Sequence, residues 1–205
     1  MPRSDAPEIV IRRLPLYLRC LTLLAERGQD VVASGELGAY VGVTPALVRK
    51  DLSYFGEFGK QGLGYKVAFL RDHLMSILQT DRDWPVILVG AGPLGHALMH
   101  YEPFQRWCYQ IVAVFDRDPA KISQPIDDLT VQPMKNIPLV IEKRRIRVAI
   151  LAVPARHAQN VAEDLVGCGI RAILNYAPAH LVLPSHVRVA HIDPVISLQG
   201  MTHYL

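Results

Sequence analysis

Gly90, Gly92 and Gly95 stand in GxGxxG spacing within the string VILVGAGPLGHAL, directly after an apolar strand and at the opening of a helix. In that setting each glycine has a physical task. The first makes a tight turn, the second lets backbone approach a pyrophosphate, and the third permits close helix–strand packing. The helix start offers N–H groups and the positive end of its dipole to phosphate. Ala91, Pro93 and Leu94 complete the turn, and Pro93 removes a donor only where donors are otherwise orphaned. A second strand, IVAVFD, ends at Asp116, roughly 20 positions beyond the last glycine. A carboxylate there accepts hydrogen bonds from the adenosine ribose and repels a 2′-phosphate, which favours NAD(H) over NADP(H). Arg117 works against that exclusion, and Asp118 adds a second negative charge. Val153-Pro154 ends another strand at the same sheet edge and borders the expected cofactor.

A second constellation lies upstream. Ser34 can cap a short helix carrying Leu37, Ala39 and Val41, Gly42-Val43 makes a turn, and Thr44 caps a second helix that starts with Pro45. That helix, PALVRKDLSYF, is amphipathic. Leu47, Val48, Leu52 and Phe55 can face inward, while Arg49, Lys50, Ser53 and Tyr54 include the outward positions. Such a helix suits a DNA major groove. The segment GEFGKQGLGYKV follows at once, with Gly56, Gly59, Gly62 and Gly64 and flanking Lys60 and Lys66. Glycines there permit a tight hairpin and close approach to a phosphate ridge or narrow groove. Helix-turn-helix plus hairpin is a winged helix, and its DNA-facing candidates are Thr44, Arg49, Lys50, Ser53 and Tyr54 with Gly59, Lys60 and Tyr65.

Other chemistry is poorly supported. His96 and His100 have a spacing that could hold zinc on one helix face, but no third ligand follows, so no metal site is expected. His157 could serve as a general base, yet it lacks a matched Asp or Arg partner, so no catalytic residue is assigned. The Lys143-Arg144-Arg145 cluster with Arg147 reads as a solvated helix end. Cys20, Cys108 and Cys168 are odd in number and far apart, which excludes a disulfide framework and a CxxC site.

The elements that must position these residues divide near residue 80. Before it the pattern is helical: Leu14, Leu16, Leu18, Leu21, Leu24 and Ala25 fit a mostly buried helix with Pro15 in its first turn and Gly28 beyond its end. After the polar TDRDWP segment, β-branched runs beginning at Val86, Ile111, Arg147 and Ala172 alternate with helical stretches, which predicts a parallel sheet with crossover helices. The fold class is therefore α/β. The predicted organisation is a winged-helix domain at 1–80, a docked linker at 81–85 carrying Trp84, a Rossmann-type doubly wound domain at 86–191 and a C-terminal segment at 192–205. In that segment Asp193 caps, Pro194 starts and Gly200 interrupts a helix. The 205 residues carry a net charge of +3 and 50% hydrophobic residues, an ordinary globular composition that permits a nucleic-acid partner without demanding one. No run reaches the roughly 18 apolar residues of a membrane helix, and the start of the chain lacks a signal-peptide pattern, so a cytoplasmic, membrane-free protein is expected.

The strings RLPLYLRCL, VRKDLSYFGEFGKQGLGY, VGAGPLGHAL, FDRDPAKI and ILNYAP occur in this order, and together they resemble the Rex family of redox-sensing transcriptional repressors. Val48 to Tyr65 is the most specific part of the resemblance, which spans nearly the whole chain. It implies a homodimer of winged-helix and NAD(H)-binding Rossmann domains, a C-terminal helix exchanged between subunits, and release of operator DNA when NADH replaces NAD+. It further implies that Tyr101 and Asp193 link the cofactor pocket to the partner subunit, and that Tyr101 also contacts the cofactor. Asn175-Tyr176-Ala177-Pro178, which follows a core strand at the carboxyl edge of the sheet, is implied to form a nicotinamide-side wall in which Asn175 binds the cofactor. A dimer of this kind would read an inverted-repeat operator. The competing reading is a small NAD-dependent oxidoreductase or CoA-binding protein whose N-terminal helices form a cap. It leaves no residues for a substrate domain once the first 80 are assigned to the winged helix.

Overall fold

The computed structural model describes residues 6–60 and 63–204. They form two compact units, Met1–Arg82 and Asp83–Leu205.

In the first unit, helix α1 (Glu8–Glu26) buries Leu14, Leu18, Leu21 and Leu24 along one face. It begins earlier than expected, so Pro15 lies inside the helix and not in its first turn. Pro15 is exposed on this helix, as is Leu16 beside it, which the apolar pattern assigns to the core. Helix α2 (Ser34–Val41) ends at Gly42, whose φ of 77° makes the turn that a side chain would resist. Gly38 allows the next segment to approach, since a Cβ there would lie 2.5 Å from the Val43 carbonyl oxygen. Helix α3 (Pro45–Ser53) is capped by Thr44, whose hydroxyl accepts from the Leu47 N–H at 3.2 Å. Strand β1 (Val31–Val32) pairs with β3 (Gly64–Lys66), which pairs in turn with β2 (Gly59–Lys60), all antiparallel. The hairpin thus forms a wing directly after α3, and α4 (Val67–Leu78) closes the unit against α1 through Leu70 and Leu74. Gly62 lies outside the described residues.

The second unit is built on a sheet with strand order β10-β9-β8-β4-β5-β7-β6 among the described residues. Its strands are β4 (Trp84–Val89), β5 (Tyr109–Asp116), β6 (Pro125–Ile126), β7 (Leu129–Pro133), β8 (Val148–Leu151), β9 (Ala172–Asn175) and β10 (Arg188–His191). Only the short β6–β7 pairing is antiparallel. The chain enters at β4, winds outward through β5 and β7, and returns to the other side of β4 for β8, β9 and β10. This is the doubly wound arrangement, with its reversal point between β4 and β8. Trp84 belongs to β4, where its N–H donates to the Cys108 carbonyl at 2.7 Å, so the segment expected as a linker extends less far than 81–85. Both sheet faces are apolar: Ile87 and Val89 point into one core layer, Val86 and Leu88 into the other. Helices α5 (Pro93–Met99), α6 (Pro103–Arg106), α7 (Ile137–Arg144) and α8 (Ala155–Gly167) connect the strands. Helix α9 (Pro194–Thr202) follows β10 and runs straight through Gly200, which does not interrupt it.

Candidate functional site

Parallel register brings the carboxyl ends of β4, β5 and β8 side by side, pairing Val89 with Phe115 and with Leu151. The chain then turns at Gly90 with φ of 107°, and a Cβ there would lie 2.3 Å from the Ala152 carbonyl oxygen. Gly95 presses against the same turn, because a Cβ on it would lie 2.0 Å from the Gly90 oxygen. Gly92 differs: no atom lies within 4 Å of where its Cβ would be. It lines a cavity of about 750 Å³ with Gly90, Pro93, Leu94, Asp116, Arg117, Val153 and Tyr176. That volume suits a small-molecule ligand. Val89, Val153, Val161 and Met134 give the cavity apolar wall. Ala91 is buried in the turn and does not line it.

Asp116 reaches this edge as predicted, but its carboxylate is already engaged. Oδ2 accepts from the Ala91 N–H at 2.8 Å and from Lys121 Nζ at 3.2 Å, and Oδ1 accepts from the Asp118 N–H at 2.9 Å. Burial would raise its pKa, but these three donors outweigh burial and hold the group below the usual carboxylate range. A carboxylate has about four acceptor positions, so about one remains for a ribose hydroxyl. The acid therefore ties the glycine turn to β5 as well as facing the cavity.

Of the wall expected at residues 175–178, Asn175 itself does not line the cavity. It is fully buried: its Oδ1 accepts from the Ala177 N–H at 3.0 Å and its Nδ2 donates to the carbonyls of Ala177 and Ala179. These bonds fold the Tyr176–Pro178 segment, and it is Tyr176 and Pro178 that reach the cavity. Tyr101 also stands outside this cavity. It is half exposed, packs edge-on against Phe104 at 5.1 Å, and lines a separate pocket with Tyr109. Asp193 caps α9, accepting from the Val195 N–H at 2.9 Å. Val195, Ile196, Leu198 and Met201 of that helix are all exposed. His100, one of the two spaced histidines, contacts Asp127 at 2.7 Å.

In the first unit Arg49, Lys50 and Ser53 are exposed on α3, and Tyr54 is exposed at its C-terminal cap. The Ser34 hydroxyl, expected as a helix cap, instead accepts from Arg49 at 3.0 Å, and Ala33 occupies the cap position. Tyr65 corrects another expectation, because it is 9% exposed and its ring packs over Gly59 inside the wing. Sequence reading also passed over Asp51. This carboxylate is buried on α3, receives two bonds from the Arg13 guanidinium at 2.6 and 2.7 Å, and accepts from the Tyr17 hydroxyl at 2.7 Å. Burial first, then the hydrogen bond to Asp51, pushes the Tyr17 hydroxyl pKa above its ordinary value.

A capped helix-turn-helix with a β-wing, joined to a doubly wound unit with a glycine-turn cavity, defines a two-domain protein of the winged-helix and dinucleotide-fold class. The relatives narrow this class. The family model "CoA binding domain" matches residues 81–179, and "Putative DNA-binding protein N-terminus" matches residues 5–53. The redox-sensing transcriptional repressor Rex of Chloroflexus aurantiacus is 55% identical, covering 100% of this chain and 97% of its own length. That of Pelotomaculum thermopropionicum is 46% identical, covering 100% and 96%. The crystal structure of RSP in complex with beta-NAD+ and operator DNA matches with a TM-score of 0.91 at 34% identity, covering 98% of this chain and 93% of that one. RSP in complex with beta-NADH matches at 0.88 and 32%, covering 98% and 95%. The chain belongs to the Rex family of redox-sensing transcriptional repressors.

Proposed function

We propose that this protein binds operator DNA when NADH is scarce relative to NAD+ and releases it when NADH binds. The observation that carries this reading is the glycine-turn cavity in a chain that matches Rex repressors over its full length. Gly90, Gly92, Leu94 and Val153 line the cofactor site, and Asp116 meets the ribose with its remaining acceptor position. Helix α3 reads the DNA and the β2–β3 hairpin flanks it. The exposed apolar side chains of α9 support a homodimer, with Tyr101 and Asp193 linking cofactor state to the partner subunit. Among the described residues no helix is long and apolar enough to cross a membrane, and we place the repressor in the cytoplasm with its operator.

A ligand equally good for both conformations shifts nothing, so NADH must prefer the released state. NADH and NAD+ differ by a hydride and by the positive charge of the nicotinamide ring. An apolar wall accepts the neutral dihydropyridine and penalises an unsolvated cation. A swing from 1:99 to 99:1 requires about 5.5 kcal/mol of differential binding. Reciprocity requires operator DNA to weaken NADH binding by the same factor. Calorimetric titration of NADH with and without operator tests this, and equal affinities would sink the switch.

The reading of α3 has its own test. With NADH absent, Arg49→Ala or Lys50→Ala should cost roughly 1–3 kcal/mol per lost base contact and relax preference at one base pair. A lost phosphate contact should instead weaken all sequences alike and lower the salt slope by about 1. Wild-type operator affinity in both variants would remove α3 as the reader.

A further inference from the structure

The segment that brings Tyr176 and Pro178 to the cavity is held by one buried amide, and that amide has a titratable neighbour. Asn175 ends β9, and parallel register sets it beside His191 at the end of β10. Its Oδ1 accepts from the Ala177 N–H at 3.0 Å, which fixes the orientation of the amide. Nδ2 is thereby turned towards the Ala177 carbonyl at 3.2 Å, the Ala179 carbonyl at 3.0 Å and His191 Nδ1 at 3.1 Å. An NH2 group only donates, so His191 Nδ1 accepts, and the neutral ring carries its proton on Nε2.

A second proton on this ring has one place to go. Nε2 is already occupied, so protonation falls on Nδ1 and sets an N–H against the amide hydrogens across 3.1 Å. An acceptor becomes a competing donor beside a fully buried side chain. If the amide yields, it releases the Ala177 N–H and with it the turn that presents Tyr176 and Pro178. His191 itself is exposed, so protons reach it from solvent. His180, on the loop after β9, stacks on its ring with centroids 5.5 Å apart and planes 20° apart, and a charge on one ring opposes a charge on the other. Arg171 and Arg188 stand at the opposite, amino ends of β9 and β10. Asp193 follows two positions on, where its carboxylate caps α9 through the Val195 N–H. We propose that His191 is a positioning residue for the cavity wall of Tyr176 and Pro178, acting through Asn175 and only while its ring is neutral. Binding in the cavity is then strongest at alkaline pH and weakens as the ring takes up its second proton.

This role for His191 rests on the nucleotide-binding reading of the cavity, and two measurements keep the two apart. In the first, NADH is titrated into the full chain from about pH 8 to about pH 5.5, a range that spans ordinary histidine titration. Over that range wild-type affinity should fall at least about threefold more than that of His191→Asn, whose side-chain carbonyl can accept from Asn175 and takes up no proton. At the alkaline end His191→Asn should match wild type within about twofold. His191→Phe keeps a ring against His180 but has no acceptor, and it should bind about threefold to tenfold more weakly than wild type at that alkaline end. His157, which lines the cavity, is present in every variant, so the difference between variants isolates His191. The second measurement needs no ligand: NMR follows the His191 ring nitrogens and the Ala177 amide. Wild type should show the Nε2–H tautomer at high pH, and the Ala177 resonance should move with the ring titration but stay still in His191→Asn. Parallel pH profiles of wild type and His191→Asn would overturn the proposal, as would an Nδ1–H tautomer or an Ala177 amide indifferent to the ring. If wild type binds NADH at no pH while the Ala177 amide still follows His191, the nucleotide reading falls and the positioning of the wall stands.

Discussion

Asp51→Ala is expected to destabilise the first unit by about 3 kcal/mol, at the lower end of what breaking a buried ion pair costs. The carboxylate keeps 1% of its side-chain surface exposed and Arg13 keeps 17%, so the pair is desolvated at one end and only thinly solvated at the other. Removing the acid leaves a guanidinium with two unmade bonds and a buried Tyr17 hydroxyl without its acceptor. A domain stability of roughly 5–15 kcal/mol makes this a large fraction of the total. The loss also reaches DNA recognition. Asp51 is the next residue to Lys50 on α3, and its bonds to Arg13 and Tyr17 fasten that helix to α1. Urea unfolding followed through the first unit measures the effect. Asp51→Asn should also fail to restore stability, because its amide presents donors to a guanidinium that only donates. Replacing all three members with apolar residues of similar volume should recover much of the stability, as the desolvation of the charges disappears with them. A loss below about 1 kcal/mol in Asp51→Ala would show that the triad anchors nothing.

Asp51 also marks where sequence reading reaches its limit. The partner it needs lies 38 positions upstream, and a lone acid on an amphipathic helix carries no local mark of that pairing. Thr44-Pro45 and the glycine turn were legible because their physics is local: a cap three residues from its donor, and a backbone turn set within a few positions. The strand ending at Asp116 was legible from its β-branched run, but not the engagement of its carboxylate by Ala91, Asp118 and Lys121. Asn175 and Tyr65 failed for the same reason. A polar or aromatic side chain at a sheet edge or hairpin looks available for a ligand, and only the packed chain shows that one clamps its own loop and the other fills the wing. Strands β7 and β10 escaped because their short segments, LTVQP and RVAH, lack a sustained apolar run.

The glycine turn allows fold and ligand roles to be separated by one pair of substitutions. Gly95→Ala is expected to destabilise the second unit by about 3 kcal/mol, at the upper end of the usual overpacking penalty. The added methyl would lie 2.0 Å from the Gly90 oxygen, and that neighbour is backbone, not a side chain that could swing away. Relief requires α5 to separate from β4, yet Gly90 is itself confined, since its own Cβ position lies 2.3 Å from the Ala152 oxygen. Moving the turn would also disturb the bond from Ala91 N–H to Asp116, so NADH affinity should fall together with stability. Gly92→Ala makes the contrast. Its φ of −89° suits alanine, and nothing lies within 4 Å of the new methyl, so unfolding should stay within about 0.5 kcal/mol of wild type. The methyl would stand where the backbone must approach a pyrophosphate, and NADH affinity should fall at least about tenfold. Thermal or urea unfolding and NADH titration of both variants distinguish the two roles. If Gly92→Ala binds NADH as wild type does, the dinucleotide does not cross this turn, and if Gly95→Ala unfolds as wild type does, the turn and α5 are not packed as the glycine contacts require.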